Sequence, residues 1–205
     1  MIGIIRTSSQ NIGSIINCFN YLNIKNSVID DLNEIDNFEK IILPGVGSFD
    51  PVVRSIKEFK IDSKKIKKMF YEKQVLAICI GLQVLCEKSE EGNENGFGLI
   101  KSKVKHLRNL SCELPVPHVG FNTIELAKKD EKLEKYLDKK FYFTHSYGVE
   151  NKNINESFGG NYGITKYGNS TFVSFVSYQK SIATQFHPEK SGEDGLSLLK
   201  YFYNQ

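Results

Sequence analysis

The sequence predicts a single α/β domain over residues 1–205: a mostly parallel sheet flanked by helices, with an extra β-rich portion in the second half. Three observations predict it. A length of 205 residues suits one domain with one substantial core. In the first half, short apolar runs alternate with segments of helical period, the pattern of a parallel sheet covered by helices. In the second half, β-rich segments follow one another, separated by turn residues.

The elements follow in order. Ile2–Ile5 is an apolar strand, and Ile12, Ile15, Ile16, Phe19 and Leu22 then recur at helical spacing. Lys40–Leu43 is a second buried strand, ended by Pro44 and Gly45. A charged segment over 56–71 reads as one helix, and 75–78 as a third apolar strand. Residues 116–124, 141–149, 171–176 and 181–186 read as strands, and Leu196, Leu199 and Phe202 mark a closing helix. No repeat, linker or low-complexity segment divides the chain.

Composition excludes several classes. Apolar residues make up 40% and charged residues 25%, as in an ordinary globular protein. A formal charge of +3 is too small to argue for nucleic acid, and pairs such as Lys64-Lys65 and Lys67-Lys68 read as a solvated helix face. No stretch approaches the roughly 20 apolar residues of a membrane span. Met1 to Arg6 lacks the pattern of a signal peptide, so the chain is expected in the cytoplasm. The four cysteines, Cys18, Cys79, Cys86 and Cys112, show no CxxC pairing, so disulfides are not expected there. No residue cluster has metal-ligand spacing.

Three segments carry possible chemistry. In the first, the apolar run 75–78 leads straight into Cys79, Ile80, Gly81, Leu82 and Gln83, with helical spacing after it. That order is a nucleophile elbow, in which a helix N-terminus beside the thiol favours the reactive thiolate. A buried cysteine closing a strand fits the same segment equally well. The second is Gln185-Phe186-His187-Pro188-Glu189-Lys190, where a histidine could act as base and acid while Glu189 orients it. A surface turn is its plainer reading. The third is Pro44-Gly45-Val46-Gly47, a glycine-rich turn able to aim backbone N–H groups at an oxyanion. It lacks the Lys-Ser/Thr ending of a phosphate-binding P-loop and the third glycine of a dinucleotide fingerprint. Singly, none of the three is diagnostic. All three follow strands, where open α/β sheets place their sites.

In order and spacing, the three segments resemble the class I glutamine amidotransferases, a flavodoxin-like family. The finer resemblance is to the glutaminase subunits of imidazole glycerol phosphate synthase. It is carried by Pro117-His118-Val119-Gly120-Phe121-Asn122, Phe141-Tyr142-Phe143-Thr144-His145-Ser146-Tyr147 and Gln185 to Ser191. The resemblance implies glutamine hydrolysis through a cysteine thioester, with no cofactor. It implies transfer of the ammonia to a (β/α)₈-barrel cyclase subunit in histidine biosynthesis. It also implies that Cys79 is the nucleophile, His187 the base and acid, and Glu189 its orienter. Gly45, Val46, Gly47 and Ile80 match oxyanion positions. Gly47, Gln83, His145, Ser146 and Tyr147 match glutamine-binding positions, and Asn11, His118, Phe121, Asn122, Tyr142 and Lys190 match the partner interface.

The chain departs from that pattern at Ser8-Ser9-Gln10-Asn11, where a Gly-x-Gly-Asn turn is usual and only Asn11 is kept. It departs again at Phe121, where tryptophan is usual, and at Ala77, where glycine is common. The first two fall on the partner-facing side, which leaves open a paralogue that amidates surface-sugar precursors. A silent binding module on the same fold would be expected to lose one of Cys79, His187 and Glu189. A cysteine peptidase would not account for Gln83 or for His145-Ser146-Tyr147. Cys86, seven residues after Cys79, reads as core, Cys18 flanks the first helix's apolar stripe, and His106 reads as a surface residue.

Overall fold

The computed structural model describes residues 1–7, 12–128, 130–152, 154 and 160–205. The apolar runs become the middle of the main sheet. Along the first half come β1 (Ile2–Ile5), α1 (Gly13–Tyr21), β2 (Asn26–Ile29), β3 (Lys40–Leu43), α2 (Phe49–Glu58), α3 (Ser63–Glu72), β4 (Gln74–Ile78) and α4 (Ile80–Val84). The second half contributes β5 (Lys88–Ser89), β6 (Lys103–His106), β7 (His118–Asn122), β8 (Glu125–Leu126), α5 (Glu131–Glu134), β9 (Phe141–His145) and β10 (Tyr147–Val149). It ends with β11 (Asn161–Tyr167), β12 (Ser170–Tyr178), β13 (Ser181–Thr184) and α6 (Gly192–Asn204).

Strand order in the main sheet is β2-β1-β3-β4-β13-β12-β10-β6-β5, with β11 and β8 branching from β12. The first five strands are all parallel, pairing β1 with β2 and β3, and β4 with β3 and β13. β12 then pairs antiparallel with β13 and β10, and β10 antiparallel with β6. Strand alternation sends side chains to two cores. Ile41, Leu43, Val75 and Ala77 face α2, α3 and α4, while Ile42, Leu76 and Ile78 face α1 and α6. Both faces are covered, which is why these strands read as unbroken apolar runs.

Several expectations need correction. The single helix expected over 56–71 is two helices. Lys60 takes a left-handed φ of 53° between them, and the Asp62 carboxylate accepts the Lys65 N–H at 2.8 Å to start α3 afresh. The strand expected over 116–124 shortens to β7, which pairs with β9 in a separate two-stranded ribbon. The strand expected over 141–149 is cut at Ser146: β9 belongs to the ribbon, whereas β10 enters the main sheet. A continuous strand pattern therefore serves two sheets, because the bend falls inside it. β13 stops at Thr184, leaving residues 185–187 free to enter the site. Not anticipated were β2, whose alternation is half exposed, and the hairpin partner β11. Among the described residues, no helix is long and apolar enough to cross a membrane.

Candidate active site

Parallel pairing aligns three strand ends. Leu43 of β3 stands opposite Ala77 of β4, and Ile78 opposite Thr184 of β13. The turn after β3, the elbow after β4 and the loop after β13 therefore emerge side by side.

Cys79 occupies the elbow with φ 53° and ψ −109°, in the left-handed half of backbone space. Its N–H donates to the Thr184 carbonyl at 2.6 Å, tying the elbow to β13. The 44–47 turn packs against this elbow because glycines leave room. A Cβ on Gly45 would strike the Ile80 side chain and the Gly81 backbone, and one on Gly81 would meet the Leu43 carbonyl. Gly47 needs glycine for another reason, its φ of +126°.

His187 is buried, and its Nδ1 lies 2.6 Å from Glu189 Oε1, so the carboxylate fixes the ring's tautomer and tilt. Burial opposes charge on this imidazole, but the Cys79 sulfur and then the Glu189 carboxylate outweigh it, raising its pKa to about 10. The sulfur and the carboxylate thus both favour the protonated imidazole, which stands beside a cysteine placed to attack and can hand a proton to a leaving group. The backbone holds the loop as well, since His187 N–H donates to the Tyr142 carbonyl of β9 at 2.9 Å.

These groups open on a cavity of about 270 Å³. Cys79, His187, Gly45, Val46, Gly47 and Ile80 line one part of it, and Gln83, His145, Ser146, Tyr147 and Lys190 line the rest. Glu189 stands behind His187. Two lining residues escaped the sequence reading, Thr144 and Glu91. Glu91 lies in a charged stretch, yet its carboxylate accepts the Phe49 N–H at 3.0 Å, and burial raises its pKa. Only the fold brings residue 91 to residue 49. Gln83 contributes a buried amide whose Nε2 donates to the Tyr147 carbonyl at 2.8 Å and to Gln185 Oε1 at 3.0 Å, while its Oε1 has no partner.

Beside the cavity, His145 pairs with a second histidine, His118. His145 Nδ1 lies 2.8 Å from the Tyr147 carbonyl, and its Nε2 lies 3.2 Å from His118 Nδ1. Burial holds both rings neutral, with pKa values lowered to about 3 for His145 and about 4 for His118. His118 is 2% exposed, its ring turned into the protein rather than toward the ribbon's open face. The ribbon's alternation explains this: His118, Gly120 and Asn122 face inward or sideways, whereas Val119 and Phe121 are 56% and 58% exposed. The Tyr142 ring packs edge-on against Phe121 at 5.6 Å, and Asn122 Nδ2 donates to the Lys166 carbonyl at 2.9 Å. Asn11, with its turn at 8–11, lies outside the described residues.

The remaining thiols are quiet. Cys86 is fully buried and its pKa is driven far up by burial. Burial, and after it the Glu189 charge, also raises that of Cys18, whose Sγ donates to the Glu189 carbonyl at 3.5 Å. Cys112 Sγ donates to the Leu114 carbonyl. His106 is half-buried, edge-on to Tyr147.

Comparison with known proteins adds to this geometry. The family model described as glutamine amidotransferase class-I matches residues 4–205. The imidazole glycerol phosphate synthase subunit HisH of Leptospira interrogans is 36% identical over 212 residues, covering 98% of this chain and 98% of the relative. The subunit HisH 2 of Methanococcus maripaludis is 36% identical over 210 residues, covering all of both chains. A solved glutamine amidotransferase from Thermotoga maritima superposes with a TM-score of 0.60 at 13% identity, covering 97% of this chain and 81% of that one, a likeness of fold.

Proposed function

The chain belongs to the class I glutamine amidotransferases, among the imidazole glycerol phosphate synthase HisH subunits, and on that premise we propose how its site works. The observation that carries the reading is the buried Cys79–His187–Glu189 set beside a glycine-built turn.

Glutamine enters the cavity with its side-chain carbonyl over Cys79. The thiolate attacks the carbonyl carbon, and the developing oxyanion is taken by the N–H groups of Val46 and Ile80. His187 gives its proton to the leaving nitrogen, so the C–N bond breaks as ammonia departs and a γ-glutamyl thioester remains. Water then attacks that thioester, His187 removes a proton from it, and glutamate leaves. Glu91, whose pKa burial raises, pairs with the α-ammonium of glutamine, and the unpartnered Oε1 of Gln83 accepts from the substrate. Gly47 allows the turn's peptide to rotate between an orientation that repels the oxyanion and one that stabilises it.

The ammonia passes to a barrel cyclase subunit docked on the ribbon, where Phe121 and Val119 offer exposed apolar surface beside Tyr142, Asn122 and Lys190. The test is glutamine hydrolysis measured for the chain alone, with the barrel subunit, and with barrel plus acceptor nucleotide. Stimulation by the last combination is expected. Stimulation only by a sugar-modifying partner would transfer the chain to that pathway, and no hydrolysis with any partner would leave a silent binding module.

A further inference from the structure

Gln185 was read as part of the His187 motif and given no role of its own. It is wholly buried, one residue past β13, and its N–H donates to the Ser174 carbonyl at 2.8 Å. Its amide Nε2 lies 3.5 Å from Cys79 Sγ. We propose that Gln185 is a further catalytic group, an amide donor that stabilises the Cys79 thiolate alongside His187; this rests on Cys79 being the nucleophile.

The amide's orientation is dictated by its neighbours. The Tyr147 carbonyl can only accept, so the Gln83 atom 2.8 Å away is its nitrogen. That same nitrogen is 3.0 Å from Gln185, so the Gln185 atom facing it is oxygen. The other end of the Gln185 amide, toward the sulfur, is therefore the NH₂ group. His145 braces the arrangement from behind, since its Nδ1–H donates to the same Tyr147 carbonyl. Reversing the Gln83 amide would set oxygen against the Tyr147 carbonyl, and reversing Gln185 would set NH₂ against NH₂.

A donor aimed at sulfur discriminates between states. It gains little from a neutral thiol, a weak acceptor, and much from a thiolate. In acylation the Sγ–C bond forms, the sulfur loses its charge and the interaction weakens. In deacylation that bond breaks, the sulfur regains its electron pair, and the waiting N–H stabilises the leaving thiolate. Gln185 thus lowers the cost of forming the thiolate and of its departure as leaving group.

The experiment uses the full chain and follows alkylation of Cys79 by iodoacetamide against pH, read by peptide mass, which needs neither glutamine nor partner. Gln185→Leu removes the donor. Gln185→Glu keeps an acceptor for Gln83 but turns a carboxylate toward the sulfur. The leucine variant should move the alkylation midpoint about one unit toward higher pH and lower kcat about tenfold with KM little changed, the size of a lost charge-assisted hydrogen bond. The glutamate variant should move the midpoint further. A folded variant with the wild-type midpoint, or a loss confined to KM, would overturn the assignment. If the leucine variant fails to fold, the isosteric glutamate variant decides. Wild-type protein whose Cys79 is alkylated no faster than its other thiols would refute the nucleophile itself, and Gln185's role with it; a normal wild type with unshifted variants would refute Gln185 alone.

Discussion

The parallel half of the sheet and the ribbon beside it treat histidine in opposite ways. At the end of β13, His187 is buried next to the Cys79 sulfur and the Glu189 carboxylate, and its pKa is raised. Under the ribbon, His118 and His145 are buried against each other and aromatic rings, and both are held neutral. Burial is common to all three. What differs is whether a negative charge was buried with the ring, so partner chemistry rather than depth decides protonation. In the proposed mechanism the first arrangement moves protons; the second braces the Tyr147 carbonyl and the cavity wall.

The strongest way to break the comparison is to remove the negative partner. Cys79→Ser should lower glutamine hydrolysis by at least about 10³-fold, as losing a member of a concerted unit does. It should also let His187 titrate well below its wild-type value, followed by imidazole NMR. A His187 that stays cationic without the sulfur would show that Glu189 alone suffices. Next comes Gly45→Ala, whose methyl would collide with the Ile80 side chain and Gly81 backbone and displace the elbow. A fall of about 10²-fold in activity is expected, comparable to losing an oxyanion donor, and unchanged kinetics would mean the turn adapts freely.

On the ribbon, Phe121→Asp should leave thermal stability unchanged, because that side chain is 58% exposed. It should weaken barrel-subunit binding by about tenfold or more in Kd; an unaltered Kd by titration calorimetry would place the interface elsewhere.

The smallest effects are the pH slopes of stability, and they carry opposite signs. The folded-state pKa of His187 is raised, so its contribution is complete below about 6.5 and is lost as pH rises toward about 10. The folded-state values of His118 and His145 are lowered, so their contribution is present above about 6.5. It is lost as pH falls toward about 4 and then about 3. Denaturant midpoints across pH should show His118→Phe flattening only the acid limb and His187→Gln only the alkaline one.

The same division governs what could be read from residues alone. Buried parallel strands announce themselves, because both faces are covered and no polar position interrupts 2–5, 41–43 or 75–78. Their ends then place Cys79, His187 and the 44–47 turn together almost automatically. The ribbon's pattern carried no such signal. Residues 141–149 read as one β-rich run, yet at Ser146 the burial alternation breaks and the two parts enter different sheets, a decision made by what packs on each side. His118 was placed at the interface by resemblance alone, whereas strand alternation turns its ring inward. Glu91 was illegible for a simpler reason, since its importance depends on a contact 42 residues away.

Cys79 has one more consequence, and it concerns what the protein gives up to be active. A non-glycine residue at φ 53° and ψ −109° stores on the order of 1–3 kcal/mol of backbone strain. Glycine at that position would relieve the strain, so the inactive Cys79→Gly chain should outlast the active one on heating. Selection for stability alone would therefore erode the site at its centre. The nucleophile persists only while the reaction is needed, and a lineage that lost its need for glutamine hydrolysis would be expected to drift there first.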